Sequence, residues 1–179
     1  ALLAPSHQLG DRLRAVLLID CDYFKSINDT LGHAAGDAVL AALASRMKGL
    51  DRRIETAARL GGDEFALISA PLETAEAASV LLRAVETVLM QPVLFGPRVI
   101  PVSVSIGAAL FEDGSEQHID TLLAQADMAL YRAKREGRGC SRTFDASIDT
   151  GVTPDFPVRD PVSDRADVAA ISKATHRAA

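Results

Sequence analysis

The sequence predicts a single α/β domain, and three patterns carry that expectation. The short, branched and unalternating run Ala15-Val16-Leu17-Leu18-Ile19 reads as a strand buried on both faces. Val39, Leu40, Leu43 and Met47 recur three or four apart, which marks an amphipathic helix over residues 35–47. Ile100, Val102, Val104 and Ile106 alternate with Pro101, Ser103, Ser105 and Gly107, a period-two strand with one apolar face that continues to Phe111. A chain of 179 residues suits one domain with its own core.

The remaining elements follow in order. The first strand ends in Asp20-Cys21-Asp22, and a short helical turn over residues 24–28 leads to the connection Thr30-Leu31-Gly32-His33. A charged link covers residues 51–55. Apolar-rich segments at residues 57–60 and 65–69 flank Gly61-Gly62 and read as a hairpin, since glycine accepts the positive φ of a tight turn. Thr74 caps a helix running to about Met90, with Val80, Leu81, Val85, Val88 and Leu89 inward and Pro92 beyond its end. Pro101 places the start of the next strand at an edge or outside the ladder. A final helix over residues 119–135 uses Leu122, Leu123, Ala126 and Leu130 and stops near Gly137. Residues 140–144 add a last short strand. Beyond Asp145, Pro154, Pro157 and Pro161 interrupt a mixture of Asp and Arg, so residues 146–179 are expected to be a disordered tail or linker.

Composition narrows the function. The net charge of −5 gives no general electrostatic reason to hold nucleic-acid polymers or an anionic membrane, so a phosphate-bearing ligand needs a local site. Two cysteines, Cys21 and Cys140, do not make a disulfide framework and point to a reducing, cytoplasmic setting. No apolar run approaches a membrane span, and residues 1–10 lack the features of a signal peptide. The missing initiating Met is expected of a fragment, such as the cytoplasmic part of a larger protein.

Two acidic pieces stand out, Asp20-Cys21-Asp22 at a strand end and Asp63-Glu64 directly after the glycine turn. A strand end and an adjoining hairpin lie within a strand spacing or two of each other, so their carboxylates can converge. Close carboxylates repel unless a cation sits between them. Magnesium suits such a site, because it takes few protein oxygens and completes its octahedron with phosphate and water. Taken singly, each Asp also reads as a turn residue or a solvated strand end.

Four ordered segments resemble one family. They are Leu18-Ile19-Asp20-Cys21-Asp22-Tyr23-Phe24-Lys25; Ile27-Asn28-Asp29-Thr30-Leu31-Gly32-His33 with Gly36-Asp37; Ala58-Arg59-Leu60-Gly61-Gly62-Asp63-Glu64-Phe65; and Ala126-Asp127-Met128-Ala129-Leu130-Tyr131-Arg132-Ala133-Lys134-Arg135-Glu136-Gly137-Arg138. Together they resemble the GGDEF domain of diguanylate cyclases over residues 14–145, leaving residues 1–13 divergent or truncated.

The resemblance implies a central, mostly antiparallel sheet surrounded by helices, the palm-like nucleotidyl cyclase fold. It implies that two domains, each with one GTP, face each other as a homodimer, at least transiently, and form cyclic di-GMP and pyrophosphate. Two Mg²⁺ ions, or Mn²⁺, would be held by Asp20, Asp63 and the Cys21 carbonyl, with Glu64 assigned to metal binding or hydroxyl activation. Asn28 and Asp37 match the guanine-reading pair, and Lys134 and Arg138 match ligands of the β- and γ-phosphates. Lys25 and the amides of Tyr23 and Phe24 fall at the same phosphates, and His33 joins the substrate-binding set, although it reads as a structural hydrogen-bonding residue in its loop rather than a catalyst. Asn28 and Asp37 also read as turn or helix caps, and Lys134 and Arg138 as last-turn cations.

Three departures from the family pattern matter. Residues 1–13 lack its usual opening segment. The product-inhibition pattern Arg-x-x-Asp appears as Arg52-Arg53-Ile54-Glu55, with the acid one methylene longer. No regulatory or dimerising domain is visible in these 179 residues. A module that binds GTP or cyclic di-GMP without turnover, and a related adenylyl or guanylyl cyclase, are the alternative readings.

Overall fold

A computed structural model describes residues 12–150. A five-stranded sheet with order β2-β3-β1-β6-β7 forms its centre. The central strand β1 (Leu13–Cys21) is buried on both faces, as its unalternating run predicts. It pairs antiparallel with β3 (Glu64–Ser69) on one side and β6 (Val104–Glu112) on the other. The edge strand β2 (Ile54–Gly61) is antiparallel to β3, while β7 (Ser141–Thr143) runs parallel to β6.

Alternation along β1 sorts the helices. Ala15, Leu17, Ile19 and Cys21 face a core completed by α2 (His33–Lys48) and α3 (Ala75–Leu89). Val16 and Leu18 face the opposite way, against Leu122, Ala126 and Leu130 of α4 (Ile119–Arg135). The short helix α1 (Phe24–Leu31) packs on α2 directly after the β1 end. Gly107 lets α4 lie close on β6: a Cβ there would come within 2.0 Å of the Ala126 carbonyl. That closeness matters to the site, because the last turn of α4 must reach the end of β1.

The structure departs from the sequence reading in several places. The strand expected over residues 100–111 is broken. Ile100 closes a separate hairpin of β4 (Val93–Phe95) and β5 (Arg98–Ile100), and the sheet strand starts only at Val104, beyond Pro101. Nor does β6 have one apolar face. Ser105, Gly107 and Ala109 are buried too, since α4 covers that side. Thr74 caps α3 through Ala77 N at 3.2 Å, as expected, but Val80 is 58% exposed. The buried stripe runs through Ala78, Leu81, Leu82, Val85 and Leu89, so Leu82 takes the inward place expected of Val80. A helical turn α5 (Ala146–Asp149) opens the stretch expected to be a tail, with Asp149 buried and accepting from Asp145 N. The rest of that stretch from residue 151, and residues 1–11, lie outside the described residues. Among the described residues no helix is long and apolar enough to cross a membrane.

Candidate active site

Register brings the two acidic pieces together. Asp20, near the end of β1, stands directly opposite Glu64, the first residue of β3. Cys21 N donates to the Asp63 carbonyl at 3.2 Å and ties the turn to the strand end. Like charges placed opposite each other are unfavourable in a bare sheet, so this end calls for a cation. One is present: Lys134 Nζ lies 2.7 Å from Asp20 Oδ2. Asp20 and Asp22 continue the α4-facing alternation of Val16 and Leu18, which is why residues of α4 meet them.

Cys21 points the other way, into the core beneath α2. Burial first, then Asp63, Asp20 and Asp22, push its thiol up to about 12, so it stays protonated at neutral pH. Only its main-chain carbonyl is a plausible oxygen ligand. Among the described residues, no three His, Cys, Asp or Glu side chains are gathered tightly enough to form a metal cluster by themselves. That donor set still fits magnesium, which needs few protein oxygens and takes the remainder from phosphate and water.

A second group of donors borders the carboxylates. Tyr23 precedes α1 with φ 59°, which turns the chain abruptly so that the first amides of α1 follow the β1 end. Such leading N–H groups have no partner within their own helix and favour anions. Arg138, with φ 64°, sits in the loop after α4, and its guanidinium lies 5.3 Å from the Tyr23 ring centroid. Tyr23 and Arg138 are the two non-glycine residues at positive φ among the described residues, and they face each other across this site. Lys25 is exposed on α1 and His33 is exposed at the start of α2.

Asn28 packs against Gly36, the residue before Asp37, where α1 and α2 touch. A Cβ at Gly36 would come within 2.0 Å of Asn28 Oδ1 and 3.1 Å of Phe24 Cζ, so glycine there lets the two helices touch. Phe24 is half-buried and packs against the core beneath. Asp37, the next residue, lines a groove of about 500 Å³ between α2 and β2, together with Leu40, Ala44, Met47, Arg59 and Phe65.

Arg52 and Glu55 lie elsewhere. Arg52 is exposed in the 3₁₀ turn Asp51–Arg53. Glu55 accepts from the buried Arg14 Nη1 at 2.5 Å, and Arg14 Nε donates to Asp113 Oδ1 at 2.7 Å. Arg14 and Asp20 are six residues apart on one strand, hence about 20 Å.

Residues 3–140 match the family model described as Diguanylate cyclase, GGDEF domain. The chain belongs to that family. This GGDEF domain is 46% identical over 132 residues to diguanylate cyclase TpbB of Pseudomonas aeruginosa, covering 72% of the chain and 29% of TpbB. It is 40% identical over 139 residues to the bifunctional diguanylate cyclase/cyclic di-GMP phosphodiesterase MucR of the same organism, covering 77% of the chain and 20% of MucR. The chain thus spans less than a third of either relative. Among solved structures, the GGDEF domain of TpbB superposes with a TM-score of 0.67 at 42% identity, covering 75% of this chain and 83% of that one. The GGDEF domain of DgcB from Caulobacter crescentus, in complex with c-di-GMP, gives 0.62 at 31%, covering 74% and 78%. The mixed sheet flanked by helices is the palm-like fold of these domains.

One residue of the GGDEF domain has a role that its sequence context conceals. Asp22 belongs to the first acidic piece but is buried, accepting from Ser103 Oγ at 2.7 Å, Ser105 Oγ at 2.8 Å and Gly139 N at 3.0 Å. It staples the end of β1 to the start of β6 and to the loop that carries Arg138. The alternation that exposes Ser103 and Ser105 as polar positions was the available signal, but it names no partner.

Proposed function

We propose that this GGDEF domain is a diguanylate cyclase that condenses two GTP into cyclic di-GMP and two pyrophosphates. The observation that carries the reading is the meeting of the Asp20–Glu64 pair with Lys134, Arg138 and the start of α1 at one end of the sheet. Carboxylates for a metal and donors for a triphosphate stand side by side there.

Asp20, Asp63 and the Cys21 carbonyl would hold divalent metal, Mg²⁺ or Mn²⁺, with Glu64 either completing that set or receiving the hydroxyl proton. When bound, such ions lower the pKa of the attacking hydroxyl and neutralise charge on the α-phosphate and the departing pyrophosphate. Lys134 and Arg138 hold the β- and γ-phosphates, joined by Lys25 and the amides of Tyr23 and Phe24. Asp37 accepts from guanine N1–H and the 2-amino group, and the Asn28 amide complements the base edge. His33, at the exposed start of α2, borders this substrate side. Each 3′-oxygen forms a bond to the other nucleotide's α-phosphorus as the bond to pyrophosphate breaks, so the full reaction needs two domains facing each other. The two cysteines, both free, support a reducing, cytoplasmic setting for this module.

Incubation with Mg²⁺ and each nucleoside triphosphate, followed by mass spectrometry, tests this reading. Cyclic di-GMP and pyrophosphate from GTP are expected, with product lost in Asp63→Ala while circular dichroism is unchanged. Cyclic mononucleotide, unaltered GTP, or full turnover by Asp63→Ala would overturn it.

A further inference from the structure

We propose that Arg59 is a positioning residue that fixes the turn carrying Asp63. Arg59 Nε and Nη2 both donate to the Gly62 carbonyl, at 2.9 and 2.6 Å. That carbonyl shares its peptide plane with the Asp63 amide, so the guanidinium fork sets the plane leading into Asp63. The plane leaving Asp63 is set by Cys21 N on the Asp63 carbonyl at 3.2 Å. Asp63 is therefore pinned on both sides, and the backbone sets the direction of its Cα–Cβ bond.

The turn needs such a clamp. Gly61 and Gly62 have φ of 140° and 53°, and glycine is the residue with most conformational freedom to lose. The β2–β3 register also shifts between Arg59 and Gly61, so the ladder does not hold the residue between them. Bulges of this kind re-aim the side chains that follow them. A metal site built on two untethered glycines would spend binding energy ordering its own loop. Arg59 supplies that order beforehand, and only a planar fork places two N–H groups on one oxygen in this way.

This inference rests on the proposed metal role of Asp63, and its test separates the two. Mn²⁺ is titrated into the parent, Arg59→Lys and Arg59→Ala by electron paramagnetic resonance, with saturating non-hydrolysable GTP analogue. Amide hydrogen exchange of residues 61–64 is measured on the same proteins without metal. Arg59→Ala should weaken Mn²⁺ about five- to tenfold, the scale of one typical net hydrogen bond, with Arg59→Lys between it and the parent. Exchange at residues 61–64 should quicken in the same order, while Tm stays within about 3 °C, as for other surface substitutions. Parental Mn²⁺ affinity in Arg59→Ala overturns the proposal, whether or not exchange changes. If the parent binds no Mn²⁺, the metal role of Asp63 fails, and exchange alone decides whether Arg59 orders the turn: unchanged exchange overturns it and faster exchange upholds it.

Discussion

Lys134 Nζ lies 2.7 Å from Asp20 Oδ2, so the last turn of α4 closes over the end of β1. The ammonium stands where a metal ion would neutralise the same carboxylate. On the proposed function Lys134 would therefore have two partners, Asp20 in the nucleotide-free domain and the triphosphate in the loaded one. Moving between them would remove a cation from Asp20 as metal arrives and bring it to phosphate as nucleotide arrives.

Lys134→Met retains most of the aliphatic stem and removes the charge. Nucleotide-free protein should then bind Mn²⁺ about tenfold more tightly, because no charge-assisted hydrogen bond has to be displaced from Asp20. KM for GTP should rise in the same variant. Electron paramagnetic resonance titration and steady-state kinetics read the two effects, and weaker Mn²⁺ binding in Lys134→Met would remove the competition described above.

Asp22 is expected to serve the fold rather than the metal. Asp22 is 3% exposed and its carboxylate accepts from three donors, while Arg138 Nε stands 3.9 Å away. Asp22→Ala leaves those donors unmatched and should cost about 3 kcal/mol in chemical denaturation. It should also release the loop holding Arg138 and raise KM for GTP. A parental denaturation midpoint would refute the structural role.

Much of the fold is legible in the sequence because periodicity reports burial. The double-sided run at residues 15–19 became β1, and the three-and-four spacing from Leu122 to Leu130 became α4 with the bounds expected. The Gly61-Gly62 turn was equally plain, since its chemistry is local. Periodicity fails where a chain changes partner without changing pattern. Ile100 and Val104 share one alternation yet belong to different sheets, separated by Pro101. Long-range polar pairing is invisible to it as well. Asp20 and Asp22 look alike in sequence, but one stands at the open end of the sheet and the other beneath a loop more than a hundred residues away. Arg14 sits within an apolar strand and gives no local sign that Glu55 and Asp113 will meet it.

Cys21 should make the domain sensitive to alkali. Its thiol is raised from 9.0 to about 12, chiefly by burial and then by the neighbouring carboxylates. A raised folded-state value favours the protonated form, so its stabilising contribution is full below pH 9.0 and is lost progressively as pH rises toward about 12. Cys21→Ala should lower stability at neutral pH through lost packing but decline less steeply between pH 8 and 10.5. Thermal melts across that range, with iodoacetamide labelling of the parent at Cys21 expected to be slow, measure this. Parallel pH profiles for parent and variant would contradict it.

The last prediction concerns product binding at Arg52 and Glu55. An acid one methylene longer than the family pattern should weaken that site, with Glu55→Asp restoring it. The structure adds a competitor, because Glu55 Oε2 already accepts from Arg14 Nη1 at 2.5 Å. Arg14 is buried and also paired with Asp113, so it holds Glu55 firmly toward β1. A ligand that wants the exposed Glu55 carboxylate must therefore take it from the buried Arg14, a charge that is costly to leave uncompensated. Glu55→Asp draws the carboxylate back by about 1.5 Å, one carbon–carbon step, and separates it from Arg14. Stability should fall by about 1–2 kcal/mol, the cost of one charge-assisted hydrogen bond, while affinity for cyclic di-GMP rises. The two effects share one cause, so they should appear together. Arg52→Ala, in an exposed turn, should lower product affinity without changing stability. Calorimetry with the nucleotide pocket filled by a non-hydrolysable GTP analogue isolates this site from the active site. Tighter product binding in Glu55→Asp with unchanged stability would mean that Arg14 does not compete, and equal affinity in all three proteins would place the product elsewhere.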